Sequence, residues 1–185
     1  MIGESAGVVA SVAVAVAELG RARPAPGGRY MRVRRGLYRL RHFPTSEHEH
    51  VVAAWLPLRD THAVVSHESA LELHGLSDVI PAAVHLSIPR AQRGQRARPG
   101  VRLHTLERPP GPSEVQTVYG LPTTTPARSI LDSLQAGAQP EQVELATQQA
   151  LQRGLITPRR LRVAAEQRSD RVRRFVEQIL SGAEI

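Results

Sequence analysis

The densest alternation of hydrophobic and polar positions lies between His62 and Pro89. Ala63, Val64 and Val65 form a short β-favouring apolar run. Ser66 is placed to cap a helix, and Glu68 falls in its first turn, where the helix dipole favours an acid. Ala70, Leu71, Leu73 and His74 follow at three- and four-residue spacing, a narrow helical face. Gly75 supplies the left-handed residue that ends such a helix. Beyond Pro81, Val84, Leu86 and Ile88 alternate with His85 and Ser87, the period of a half-buried strand. Strand, helix, break and strand in one short stretch predict an α+β nucleus.

The flanks extend the same class. Tyr30 to Arg41 predicts a β-hairpin turning at Arg35-Gly36, with Val33, Leu37 and Leu40 as apolar contacts. Ser46 and Glu49 form a capping box for a helix through Val51, Val52, Ala54, Trp55 and Leu56, bounded by Pro57. Val101, Leu103 and Thr105 alternate with Arg102 and His104 as a return strand. Val115–Val118 and Leu121–Thr124 flank Tyr119-Gly120 as a second hairpin. Thr125-Pro126 and Thr157-Pro158 each place an N-cap before a proline at the first helical position. The first of these helices turns Ile130, Leu131 and Leu134 inward and stops at Gly137; the second runs through Leu161 and Ala165. Pro140 opens the helix between them, with Val143, Ala146, Ala150 and Leu151 inward and Gly154 at its end. Ser169 caps a last helix with Val172, Phe175, Val176, Ile179 and Leu180 apolar.

The first 28 residues read differently. Val8 to Ala17 is an apolar run too short to span a bilayer and lacking a basic start. It is a packed first helix or a poorly ordered start, with a secretory signal as the alternative. Gly20 to Gly28 holds two prolines and three glycines, which forbids a continuous helix there.

Composition changes the picture mainly through charge. The chain is 41% hydrophobic but only 3% aromatic, so its core is aliphatic. It has no cysteine, which excludes disulfides, thiolate chemistry and cysteine zinc sites. Net charge is +7, and all 24 basic residues are arginine. Forked guanidinium pairing favours phosphate or an acidic protein face; arginine-rich coding bias accounts for the excess equally well. Eight arginines and no acid lie between Arg21 and Arg41. Within that block Arg32, Arg34, Arg35, Arg39 and Arg41 are the candidate DNA contacts, binding phosphates by counterion release with little sequence information. Arg90, Arg93, Arg96 and Arg98 crowd one loop, and Arg171, Arg173 and Arg174 close a stretch, Arg153 to Arg174, with eight arginines against Glu166 and Asp170 whose helices could present a basic face. Both groups are candidate partner-binding residues; the bland alternative for each block is a solvated surface.

Catalytic constellations are lacking. Ser66, His67, His74 and Asp78 come nearest to a hydrolase set, but no Gly-x-Ser-x-Gly elbow is present. Adjacent Ser66 and His67 are expected to point in different directions at a helix start, and His74 reads as a satisfied core histidine. Without lysine there is no phosphate-binding loop of the Gly-Lys-Ser/Thr type. Glu47 and Glu49 open a helix and are no strand-borne metal pair. His48 and His50 would point about 200° apart on a helix and could not share an ion. No enzyme, no cofactor and no metal site are expected.

Three stretches resemble the AbiEi-type antitoxin family. Val64 to Leu71 with Leu73-His74-Gly75-Leu76 looks like the core of that family, carrying Ser66, His67, Glu68, Ser69, His74 and Gly75 as motif positions with a structural role. Arg32 to Leu40 is similar to the end of its N-terminal winged-helix domain. Gly120 to Asp132, with Thr125, Pro126 and Arg128, is similar to its strand-to-helix junction. The resemblance spans about residues 30 to 165. It implies an α+β fold: a short winged-helix-like segment over 1–57, then an antitoxin-like domain over 58–185 of β-hairpins followed by a C-terminal group of helices. It implies a cytoplasmic, non-enzymatic antitoxin that neutralises a nucleotidyltransferase-like toxin, by stable contact or by function alone, and binds double-stranded DNA of its own promoter. No membrane partner is implied. Gly20 to Gly28 departs from the family, because it leaves no room for the DNA-reading helices. The alternative is a basic DNA-binding transcriptional regulator with no toxin partner.

Overall fold

The computed structural model describes residues 30–34, 37–40, 47–76, 78 and 81–182. The apolar run at 8–17, the Gly/Pro stretch at 20–28, the turn at Arg35-Gly36, Arg41 and Ser46 lie outside the described residues, as do the expected apolar contacts of Val33, Leu37 and Leu40. Among the described residues are six α-helices and sheets of two and five strands, an α+β fold.

Strands β1 (Tyr30–Arg34) and β2 (Leu37–Leu40) pair antiparallel, with an irregular register between Arg32 and Arg34. Helix α1 spans Glu49–Trp55. The capping-box expectation needs correcting: His48 precedes the helix with no side-chain cap, and Arg39 donates to the Glu49 carboxylate at 3.2 Å. Pro57 does not end the helical path. The chain tightens into a 3₁₀ helix over Leu56–Thr61, which accepts proline in its first turn. His62 then turns left-handed at φ 56°, and Trp55 Nε1 donates to the Ala63 carbonyl at 2.7 Å.

The five-stranded sheet has β3 (Val64–Val65) at its centre, with β4 (Val84–Pro89) and β5 (Val101–Leu106) on one side. On the other side lie β7 (Leu121–Thr124) and β6 (Val115–Val118), joined by a hairpin. Tyr119 and Gly120 have φ of 48° and 77°, so both turn residues are left-handed, as a two-residue hairpin requires. The return-strand expectation for β5 is wrong: β5 runs parallel to β4, because residues 90–100 cross over instead of reversing.

The half-buried reading of β4 also fails, since Val84 through Ile88 are all buried. Val84, Leu86 and Ile88 join an aliphatic cluster with Val51–Ala54 of α1, Val65 and Leu121. His85 and Ser87, on the other face by alternation, meet the start of α2 (His67–Leu73).

Helix α2 joins this sheet cluster to a second one. Its Ala70 and Leu73 belong to the sheet side, whereas Leu71 packs with Leu76, Ile130, Leu131 and Leu134. The second cluster is built by α3 (Pro126–Gln135), α4 (Pro140–Gln152), α5 (Pro158–Ala165) and α6 (Asp170–Gly182). Gly75, Gly137 and Gly154 all have positive φ where helices end. Arg153 secures the first of these ends, donating to the carbonyls of His74 and Gly75 at 3.0 and 2.9 Å.

The caps divide. Thr157 Oγ1 accepts from the Arg160 backbone N–H at 3.3 Å, as expected. Ser66 and Thr125 occupy N-cap positions without a side-chain cap bond. Ser66 is diverted into the site described next.

Candidate functional site

Two concentrations of polar chemistry adjoin in the structure, close enough that Arg128 acts on His67 and Asp132 on His104. The first is a buried histidine cluster. His67 opens α2 at φ 54°, a left-handed conformation that costs a non-glycine residue about 1–2 kcal/mol. That turn contradicts the expectation that Ser66 and His67 diverge: His67 Nδ1 lies 2.9 Å from Ser66 Oγ. Ser87 donates to the same Ser66 oxygen at 2.8 Å, so the hydroxyl expected to cap the helix is committed to the sheet. Ser69 Oγ accepts the His85 backbone N–H at 3.0 Å.

Three imidazoles meet there. The rings of His67 and His104 stack with centroids 3.6 Å apart and planes 15° apart, and His85 and His104 are tilted at 5.1 Å. His85 Nδ1 lies 3.4 Å from His104 Nε2, and its Nε2 lies 3.6 Å from the Glu68 carboxylate. Parallel pairing makes this possible, since it sets His104 beside Ser87 and therefore diagonal to His85. Burial, reinforced by the neighbouring His104 and His85, holds the His67 pKa down at about 2. Burial and His104 likewise lower His85 to about 4, and burial with Arg102 lowers His104. At neutral pH all three are uncharged bases.

His74, behind them on α2, is a separate case. Its Nε2 is 2.7 Å from the Thr124 carbonyl, and burial lowers its pKa against the pull of that bond. Asp78 is exposed and makes no described contact with Ser66 or His67. Ser66 is fully buried, so no substrate reaches its hydroxyl.

The second concentration is an open groove of about 1010 Å³ between the β5–β6 connection, the start of α3 and helix α5. Arg128 spans its floor, donating to Asp132 at 2.8 Å and to Glu114 at 2.9 Å. Arg168 reaches the other Asp132 oxygen at 2.7 Å. Burial alone would raise the Glu114 carboxyl, but the Gly111 N–H and the Arg128 guanidinium carry it below the usual range. The groove is also lined by Arg159 and Arg160 and by the exposed apolar side chains of Leu155 and Val163. Neither arginine forms an ion pair among the described residues.

The other residues singled out from the sequence scatter. Arg32 is exposed on β1, whereas Arg39 is committed to Glu49. Arg34 lies on β1; Arg35 and Arg41 fall outside the described residues. Arg90 pairs with Glu107, while Arg93, Arg96 and Arg98 continue exposed along the crossover. On α6, Arg173 pairs with Asp170, and Arg171 and Arg174 are exposed. None of these lines the groove.

Sequence reasoning did not single out His85, His104, Glu114 or Asp132; of the groove arginines, Arg128 stood in the family-like junction, and Arg159, Arg160 and Arg168 fall in the basic Arg153–Arg174 stretch. The four-residue spacing of Arg128 and Asp132 was the available signal for the floor. His85 and His104 gave none, because they stand at the polar positions of strands read as half-buried, and nothing local showed that a serine-rich helix start covers that face.

The model of the AbiEi antitoxin C-terminal domain matches residues 62–181. The match takes in the sheet, the histidine cluster and the groove, and the chain belongs to that family. Membership supports an antitoxin role in a toxin–antitoxin system, and the family is generally non-enzymatic. No curated protein matches the sequence. Among the described residues, no helix is long and apolar enough to cross a membrane.

Proposed function

We propose that this protein is a non-enzymatic antitoxin that neutralises a nucleotidyltransferase-like toxin and presents the groove beside α5 to it. Family membership over residues 62–181 carries the reading. The groove supports it because Leu155 and Val163 expose apolar area beside Arg159 and Arg160, which have no described carboxylate partner. Apolar anchors rimmed by unpaired guanidinium groups suit an acidic protein surface. The crossover arginines Arg93, Arg96 and Arg98 and the helical Arg171 and Arg174 add a wider basic field that steers such a partner.

Coexpression with a nucleotidyltransferase-like toxin of the kind this family neutralises tests the reading. Growth arrest is relieved by the wild-type chain and returns with Arg159→Glu/Arg160→Glu, both exposed and replaceable without unfolding. Arrest undiminished by the wild-type chain overturns the proposal.

A second activity of the same protein is favoured by β1–β2, where Arg32 is exposed within a block of arginines free of acids. We infer that residues 1–57 form a winged-helix-like segment whose hairpin lies on DNA phosphates of its own promoter. Binding then weakens steeply with salt and discriminates little between promoter and random duplex. Salt-independent binding argues against the hairpin as the contact. A duplex-binding chain that never relieves arrest is a regulator without a toxin partner.

A further inference from the structure

We propose that His67, His85 and His104 form a binding site for one divalent late first-row transition ion, such as zinc, with His67 Nε2, His85 Nδ1 and His104 Nε2 as ligands. One ring nitrogen from each of the three residues lies within 4.8 Å of those of the other two. Two ligands at about 2.0–2.1 Å in a tetrahedral site stand roughly 3.3 Å apart. The 3.4 Å between His85 Nδ1 and His104 Nε2 matches that edge, and it is long for a hydrogen bond between ring nitrogens.

The surroundings orient these ligands. A metal-binding imidazole typically donates its other N–H to an oxygen, which fixes the tautomer. His67 Nδ1 faces Ser66 Oγ at 2.9 Å, leaving Nε2 as the lone pair. His85 Nε2 faces the Glu68 carboxylate at 3.6 Å, leaving Nδ1. Ser69 anchors the His85 backbone. The consecutive residues Ser66, His67, Glu68 and Ser69 thus supply one ligand and the oxygen partners of the second shell of the site. The left-handed φ of His67 brings its ring to this position, and such backbone strain concentrates at binding sites.

Charge and access are consistent with binding. Glu68 and Asp132 attract a cation; Arg102 and Arg128 oppose it. His104 is half-exposed and gives an ion an entry path. Stacked rings cannot aim in-plane lone pairs at one point, so loading turns the His104 ring out of its stack on His67. Imidazole donors select zinc, cobalt, nickel or copper over the oxygen-seeking calcium and magnesium. The bound ion would tie the start of α2 to β4 and to the edge strand β5.

Cobalt(II) titrated into the full chain, purified without a polyhistidine tag and stripped of metal, tests the site. One equivalent binds with the visible absorption of tetrahedral cobalt, zinc displaces it, and calcium does not. Side-chain ¹⁵N spectra of the wild-type protein show zinc shifting the rings of His67, His85 and His104 but not those of His50 or His74. His104→Gln lowers affinity by about 100-fold and Glu68→Gln by about 10- to 100-fold, whereas His50→Gln leaves it unchanged. Absence of saturable binding below about 1 mM overturns the site. So does binding that survives His104→Gln, or a zinc response confined to other histidines. The ring spectra decide the matter even where a variant fails to fold.

Discussion

Two neighbouring regions, one against the sheet and one among the C-terminal helices, bury polar groups by opposite means. On the sheet side, Ser66, His67, Ser69, His85 and Ser87 sit in the interior as neutral partners linked by hydroxyl and imidazole contacts. On the helical side, Arg128, Asp132, Arg168 and Glu114 meet as ions at the base of an open groove. Placement explains the choice. Between two packed layers a charge has nowhere to be solvated, so the cluster works only while uncharged. At the groove the guanidinium groups keep partial access to water, and Asp132, itself buried, is satisfied from both sides. Neutral clusters favour ligands that want lone pairs; ionic floors favour rigidity.

The ionic side breaks hardest by deletion. Asp132→Ala leaves Arg128 and Arg168 facing each other without their shared carboxylate, a loss of about 3–5 kcal/mol in urea unfolding. A loss no larger than that of an ordinary exposed pair would mean water already carries the two arginines.

The neutral side breaks by acid. The folded pKa values of His67 and His85, about 2 and about 4, lie below the unfolded value of 6.5. The unfolded chain therefore binds more protons below 6.5, so stability present above that pH is lost as pH falls toward 4. The expected loss between pH 7 and pH 4 is about 3 kcal/mol for each of the two rings, read from urea midpoints. The lowered Glu114 carboxyl adds its own loss only below its ordinary 4.5, where His67 is still losing stability, so the histidines alone set the profile above 4.5. A flat profile from pH 7 to 5 would show that the cluster accepts a proton without cost.

Next in size is the joint between the sides. Gly75 has φ +63°, and an added Cβ would lie 3.5 Å from Arg153 Nη1, the group that caps α2. Gly75→Ala costs about 1–2 kcal/mol from the left-handed backbone alone. Gly94 has open space around it, so Gly94→Ala shifts stability by less than about 0.5 kcal/mol. Equal effects would mean that the α2 end relaxes freely.

Local signals were legible where one element carries them. The glycine ends at Gly75, Gly137 and Gly154, the Tyr119-Gly120 turn and the proline starts at Pro126, Pro140 and Pro158 all stand where periodicity and turn chemistry put them. What failed depended on how elements pair. A strand reading Val-His-Leu-Ser-Ile looks half-solvated whether water or a serine-rich helix start covers its polar face. The direction of β5 is undetermined by alternation, which is identical for parallel and antiparallel partners. Both errors bear on the same site: His85 faces a buried layer only because β4 is covered, and the parallel register sets His104 beside Ser87. The groove was half-legible: the family-like junction drew attention to Arg128, while its partner Glu114 and Arg168, which shares Asp132 with it, come from other segments.

The smallest effect discriminates between the two sides at single hydroxyls. Thr157 Oγ1 accepts the Arg160 N–H at 3.3 Å and faces solvent, so its only described role is to cap α5. Thr157→Ala therefore costs about 1 kcal/mol in thermal or urea unfolding. Ser66 occupies the equivalent position of α2, yet its hydroxyl bonds His67 and Ser87 and no backbone N–H of that helix. Ser66→Ala then leaves α2 no less well capped, but removes the oxygen partner of His67 Nδ1. Its distinguishing sign is a changed His67 tautomer in the ring ¹⁵N spectrum, which Thr157→Ala leaves alone. An altered tautomer in neither variant would place Ser66 back among ordinary helix caps.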